Sequence, residues 1–250
     1  MITLKTSREL DRMREAGRVV AQTLAYLQER IKPGMATGEL DVLAEGFISR
    51  QGGVPSFKGY RGFPASLCVS VNEEVVHGIP GPRILEEGDI VSLDLGVIYE
   101  GYHGDAAVTF GVGKISEEAE RLIAVTTGAL WAGISKARVG LHLGDISWAI
   151  QEYAESRGYS VVREYVGHGI GRQMHEPPQV PNYGQPGRGV ALKEGMTMAL
   201  EPMVNVGGWL TKVREDGWTV VTADEKLSAH YEHTIAITNG EPEVLTRFEG

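Results

Sequence analysis

Apolar residues recur at helical spacing in four stretches of this chain and alternate like strands through much of what lies between. Leu10, Met13, Val20, Leu24 and Leu27 follow the capping pattern Thr6-Ser7-Arg8-Glu9, which predicts an amphipathic helix ending near Lys32, before Pro33-Gly34. Leu40, Leu43, Ala44 and Phe47 share one face of a second helix, Thr37 to Arg50, closed by Gly52-Gly53. A third begins after the N-cap Ser116, with Glu117 and Glu118 in its first turn, and runs to about Lys136. The fourth covers Asp145 to Arg157 and stops at Gly158. Strands are predicted at Leu67 to Val71, Val161 to Val166, Met196 to Leu200, Trp218 to Thr222 and His233 to Thr238. Residues 176–190, rich in proline and glycine, read as a long surface loop.

The most informative stretch is Val91 to Phe110. Val91, Leu93, Leu95 and Val97, then Ala107, Val108 and Phe110, predict a hairpin around Tyr99-Glu100-Gly101. Asp94 and Asp105 interrupt its two apolar runs. With a four-residue loop, Ile98 to Gly101, they stand directly opposite, where Cβ atoms are roughly 4.5–5.5 Å apart and like charges destabilise. Burying two facing carboxylates calls for a cation between them.

The two halves of the chain echo each other in order. Gly34-x-x-x-Gly38-Glu39-Leu40 matches Gly140-x-x-x-Gly144-Asp145-Ile146, and His77-Gly78-Ile79 matches His168-Gly169-Ile170. Leu85-Glu86-Glu87-Gly88 followed by Leu93-Asp94 matches Leu192-Lys193-Glu194-Gly195 followed by Leu200-Glu201. His103-Gly104-Asp105 matches His230-Tyr231-Glu232. A single domain, 1–250, with halves of about 1–115 and 116–250 related by internal pseudo-symmetry, is therefore expected. Folded about a pseudo-twofold axis, the halves bring Asp94, Asp105, Glu201, Glu232 and one or two histidines to one site. Alone, each acid reads as a turn or strand-end residue; repeated within apolar runs, they read as ligands. Four carboxylates with imidazole suit a hydrolytic two-metal site, and imidazole favours Mn, Fe, Co or Zn over Mg or Ca.

Composition adds exclusions. A net charge of -9 without a basic cluster argues against sequence-specific nucleic-acid binding and against an anionic membrane surface. Cys68 is the only cysteine, which excludes an internal disulfide and a CxxC zinc site. No stretch has the length of a signal-peptide core or a membrane span, so a cytoplasmic protein is expected. Walker A, GxSxG, HExxH and dinucleotide-binding patterns do not occur.

In the segments SLDLG (92–96), HGD (103–105), GHGIG (167–171), LEP (200–202) and YEHT (231–234), the chain resembles the type I methionine aminopeptidases almost end to end. The resemblance implies an α/β (α+β) pita-bread fold of the creatinase/aminopeptidase kind, with antiparallel sheets backed by helices. It implies removal of the initiator methionine from nascent polypeptides, when the second residue is small, by hydrolysis at two divalent metal ions (Co, Mn, Fe, Zn or Ni). By position it makes Asp94, Asp105, His168, Glu201 and Glu232 metal ligands, Glu201 also the general base, and His77 and His175 substrate contacts rather than ligands. Tyr60, Phe63, Cys68, His77 and Trp218 match the methionine pocket, while Phe57 and Met174 fall where the family varies. The short interval between Glu201 and Glu232 excludes the type II insertion, and Asp94 comes too early for the N-terminal domain of prolidases. A monomer acting on N-termini at the ribosome exit is expected. A pita-bread protein that binds without catalysis, and an aminopeptidase for Xaa-Pro bonds, are the alternatives.

Overall fold

The computed structural model describes residues 1–247; the expected domain includes residues 248–250, which lie outside that range. Four α-helices hold to the apolar pattern: α1 (Ser7–Gln28), α2 (Thr37–Arg50), α3 (Glu117–Ile134) and α4 (Leu143–Glu155). Glu9 accepts from Thr6 N–H at 2.9 Å, closing the predicted capping box of α1. This helix ends earlier than expected, at Gln28: Arg30 N–H already turns back to the Leu27 carbonyl in a tightened last turn. Ser116 Oγ caps α3 by accepting from Ala119 N–H. Helix α4 begins two residues before Asp145, whose carboxylate accepts from His142 N–H at 2.7 Å and so sits inside the first turn.

Nine strands form the main sheet. Its central path runs β1 (Val54–Pro55), β4 (Ile90–Tyr99), β5 (Tyr102–Gly111), β14 (Glu232–Ala236), β9 (Thr197–Leu200), β7 (Gly167–Gly169) and β8 (Glu176–Val180). β2 (Cys68–Val71) also pairs β4, and β15 (Glu243–Val244) pairs β14. Among the described residues there are two further, three-stranded sheets: β6 (Ser160–Val161), β10 (Met203–Asn205) and β13 (Ser228–His230) in one; β3 (Glu74–Val76), β11 (Thr211–Val213) and β12 (Val220–Thr222) in the other. Every strand pair is antiparallel.

Strand periodicity decides which side chains reach the helices. Val91, Leu93, Leu95 and Val97 of β4 and Ala106, Val108 and Phe110 of β5 pack with Val19, Val20 and Leu24 of α1 and Leu40, Ala44 and Ile48 of α2. Met198, Leu200 and Ile235 pack with Leu122, Leu130 and Ile134 of α3 and Ile146 and Ile150 of α4. The alternate positions, including Asp94, Asp105, Glu232 and Ala199, therefore point away from the helices, onto the sheet's other face.

The hairpin register differs from the sequence expectation. Tyr99 pairs with Tyr102, so the loop is the two residues Glu100 and Gly101, with φ of 46° and 80°. Two positive φ values make the tight turn that suits strand twist. Asp94 consequently faces Ala107, and Asp105 faces Gly96. The aspartates are diagonal neighbours on one face, an easier arrangement for like charges than direct opposition. Two further expectations fail. The strand from Val161 stops early: one further backbone bond joins Val162 N–H to Met203 O, and the chain then bends over residues 163–165 before Gly167. Residues 176–180, read as loop, form β8; Pro177 and Pro178 lack ladder donors but are tolerated because β8 is an edge.

One local arrangement occurs twice. Thr37 and Gly38 donate N–H groups to the Arg83 and Gly81 carbonyls; Leu143 and Gly144 donate to those of Val190 and Arg188. Leu85 N–H returns to Met35 O, and Leu192 N–H to Leu141 O. Glu39 closes the first turn of α2 onto Ala36 N–H, as Asp145 does for α4. In each case a returning strand of backbone crosses the start of a helix, where a glycine leaves room for it.

Candidate active site

Adjacent strands set the acidic side chains side by side. Ala107 pairs with Asp94 on one flank and with Glu232 on the other, so Asp94, Ala107 and Glu232 form a row across β4, β5 and β14. The pairing of His233 with Leu200 continues one step on, bringing Glu201 beside Glu232. His168 pairs with Ala199, which in turn pairs with Thr234. Small residues at 107 and 199 leave the space above the sheet to the charged ones. Thr234 fastens the strand that carries Asp105, its hydroxyl accepting from Asp105 N–H at 2.9 Å and donating to Asp105 O at 2.8 Å.

Asp105, His168 and Glu232 are buried and offer one ligand atom each, all within 4.8 Å of one another. His168 Nε2 lies 3.6 Å from Glu201 Oε1 and 3.9 Å from Asp105 Oδ2. Its Nδ1 is 2.9 Å from the Gly169 carbonyl, which can only accept, so the ring proton sits on Nδ1. The lone pair of Nε2 thus faces carboxylate oxygens. Asp94 Oδ1, Asp105 Oδ1 and Glu232 Oε1 are buried without a hydrogen-bond partner. Burial, joined by the charges of the neighbouring acids, pushes the carboxyl pKa values of Asp94, Glu201 and Glu232 well up. Burial raises Asp105 to about 7 and holds His168 down to about 3. Acceptors converging on acceptors, with several oxygens unpartnered, is the arrangement a divalent cation resolves. The donor set fits a transition metal.

A cavity of about 140 Å³ joins this cluster to an apolar end. Phe57, Phe63, Cys68 and Met174 are buried there, while Tyr60, His77 and Trp218 are half-buried. Phe63 meets Trp218 edge-on with centroids 5.2 Å apart, and Phe57 meets Phe63 edge-on at 6.5 Å. Cys68 is paired directly across from Asp94. Burial, and then the Asp94 charge, push its thiol pKa well up, so it is a packing group and no nucleophile. His77 stands edge-on to Tyr165 and Trp218, with centroids 5.7 and 6.3 Å away, and belongs to the apolar wall. His175 lies over the acidic end: its ring is 4.1 Å from that of His168, stacks on Tyr60, and takes part in a 2.9 Å hydrogen bond between Nδ1 and the Tyr60 hydroxyl.

One cavity is therefore lined both by Asp94, Asp105, His168, Glu201 and Glu232 and by Tyr60, Phe63, Cys68, His77, His175 and Trp218. Phe57, Met174 and Arg61 line it as well. Sequence reasoning missed a partly buried ion pair next to His175 in the chain: Lys5 Nζ to Glu176 Oε2 at 2.5 Å, with Glu176 Oε1 also accepting from Gln173 N–H. It ties the N-terminal segment to the His175 loop. Nothing local in the sequence announces a contact 171 positions long.

The model of Metallopeptidase family M24 matches residues 11–239. A methionine aminopeptidase of Clostridium perfringens is 58% identical over 246 residues, 98% of this chain and 99% of that protein. The crystal structure of methionine aminopeptidase from Rickettsia prowazekii superposes with a TM-score of 0.98 at 45% identity, covering 99% of this chain and 100% of the other. Prolidase from Pyrococcus furiosus, with a TM-score of 0.81 at 22% identity, shares the fold alone, this chain spanning 66% of its length. The pita-bread architecture is the one these matches have in common.

Proposed function

The chain belongs to metallopeptidase family M24, and from that premise we propose that it removes the N-terminal methionine of nascent proteins and peptides whose second residue is small. It is a metallo-aminopeptidase, a hydrolase of the first peptide bond. The observation that carries this reading is the single cavity in which a buried acidic cluster continues into an aromatic, sulfur-containing pocket. Asp94, Asp105, His168, Glu201 and Glu232 would hold two divalent ions, of Co, Mn, Fe, Zn or Ni. When bound, these supply Lewis acidity and bring the pKa of water toward neutrality.

The chain's own residues do the rest. Glu201 takes the proton of the attacking water and passes it to the leaving amine. His175, held through Nδ1 by the Tyr60 hydroxyl, directs Nε2 at the scissile carbonyl and donates a hydrogen bond as that oxygen becomes negative. His77 contacts the scissile amide nitrogen. Tyr60, Phe63, Cys68 and Trp218 receive the methionine side chain, whose polarizable sulfur favours aromatic neighbours. The chain acts as one domain of two related halves, residues 1–115 and the remainder. It works as a cytoplasmic monomer, on N-termini leaving the ribosome. Among the described residues, no helix is long and apolar enough to cross a membrane.

Glu201→Gln is expected to abolish turnover of Met-Ala-Ser while the circular dichroism spectrum stays that of the parent. Parent-like turnover in that variant would remove Glu201 from the base role. Preference of the parent for an Xaa-Pro peptide over Met-Ala-Ser would overturn the substrate assignment.

A further inference from the structure

Glu74, on β3, lies outside the cavity, yet three of the cavity's walls meet on its carboxylate. Oε2 accepts from Val71 N–H at 2.8 Å, at the end of the strand that begins with Cys68. Oε1 accepts from Arg83 Nη1 at 2.8 Å, at the far end of the loop that starts with His77. The same oxygen accepts from Arg214 Nη1 at 2.7 Å, on the hairpin whose turn presents Trp218. Glu74 is buried, its side chain 6% exposed, while those of Arg83 and Arg214 are 37% and 41% exposed. The second arm of Arg214 reaches Glu73 Oε1 at 2.5 Å.

One limb of the hairpin is anchored, since β12 pairs with β3 and buries Val220 and Thr222; the outer limb is held by the Thr211–Glu164 hydrogen bonds and by Arg214. Lys212 to Gly217 are exposed, and β11 contributes no buried residue. Its turn is rigid within itself: Arg214 N–H bonds to Thr219 O, and Asp216 accepts from the N–H groups of Trp218 and Thr219. A rigid turn gripped at Arg214 moves Trp218 with it. The His77 side is similar, because His77 follows β3 directly in a left-handed conformation, φ 60°, and the loop returns at Arg83. Charge-assisted hydrogen bonds to one buried carboxylate are stronger than neutral ones and fix geometry as well as energy.

We propose that Glu74 is a positioning residue for side-chain selection: by fixing Cys68, His77 and Trp218 relative to one another, it sets the width of the cavity's apolar end. This rests on reading that end as the methionine pocket. The test compares kcat and KM on Met-Ala-Ser and Leu-Ala-Ser, at saturating divalent metal, for the parent, Glu74→Gln, Arg214→Met and Arg214→Lys. Glutamine leaves Val71 N–H facing an amide donor or deprives the guanidinium groups of their acceptor. Its KM for Met-Ala-Ser is expected to rise roughly tenfold with kcat within about twofold, a size consistent with losing a charge-assisted bond. The preference for Met over Leu should narrow. Arg214→Met frees only the turn from Glu74 and Glu73, β12 staying paired to β3, and should shift KM the same way by about threefold, with Arg214→Lys between it and the parent. A purely structural role would lower the active fraction without moving KM or the Met/Leu ratio. Unchanged KM and ratio in Arg214→Met overturn the proposal even if Glu74→Gln does not fold. A parent that fails to cleave Met-Ala-Ser overturns the pocket reading instead, a separate outcome.

Discussion

The tripeptide His-Gly-Ile occurs at residues 77–79 and again at 168–170, and the two histidines stand in different surroundings. His168 sits on β7, held on one side by β9 and on the other by β8, so its backbone is extended and its ring enters the acidic cluster. His77 comes one residue after β3, whose pairing with β12 stops at Val76 and Val220, and it takes a left-handed backbone conformation. Its ring turns to Tyr165 and Trp218 instead. Identical local sequence becomes a ligand candidate where neighbouring strands hold it on both sides, and a pocket wall where they do not. One tripeptide stands in two settings.

The strongest way to break this contrast is to remove each ring. His168→Ala should weaken divalent-metal binding by more than about a hundredfold, beyond the 10–100-fold typical of residues that only support a ligand, whereas His77→Ala should change it by no more than about twofold. Isothermal titration under anaerobic conditions measures both. Equal losses would mean that the two histidines are chemically equivalent after all.

Gly38 and Gly144 sharpen the comparison at lower cost. An added Cβ at Gly144 would run into the Gln185 carbonyl and stand 2.8 Å from Arg188 O, while at Gly38 it would stand 3.1 Å from Gly81 O. Alanine gains about 1 kcal/mol of helix propensity at either site. Gly38→Ala should therefore be near neutral, and Gly144→Ala destabilising by about 1–3 kcal/mol, the usual range for overpacking. Urea unfolding of the metal-loaded protein gives the difference, and equal values would show the two crossings to be equally tight.

The smallest effect concerns Asp145. Hydrogen bonds from His142 N–H and then Gly187 N–H lower its carboxyl pKa from 3.8. A carboxyl depressed in the folded state stabilises above its unfolded pKa and loses that contribution as pH falls through the folded one. Asp145→Asn should cost about 1 kcal/mol at neutral pH, as for a lost helix cap. The gap between parent and variant should close as pH drops below 3.8. A gap that persists in acid would assign the stabilisation to shape and leave charge with no part in it.

Much of this was legible in the chain because it is local. Helix α2 runs from Thr37 to Arg50, as its apolar face and closing glycines predict. The acids of β4 and β5 stand out because they break apolar alternation. The hairpin register was not legible: it hinges on Glu100 adopting a positive φ, for which a non-glycine residue carries no signal. β8 was hidden by its prolines, which argue against a strand unless the edge position is known. Lys5 with Glu176, and Glu74 with Arg214, are contacts 171 and 140 positions long, and only the fold brings them together.

The pairing of β5 with β14 has a consequence in time. Thr234, which ties down Asp105, follows it by 129 positions, so a ribosome finishes the hairpin long before its partner strand exists. In that interval Asp94 and Asp105 have water beside them and carry no penalty for their charge. The penalty arises when β14 docks, delivering Glu232 and shutting water out in the same movement. Closure of the sheet and demand for a cation thus become one event, and a half-made chain has neither the cage nor the need for one.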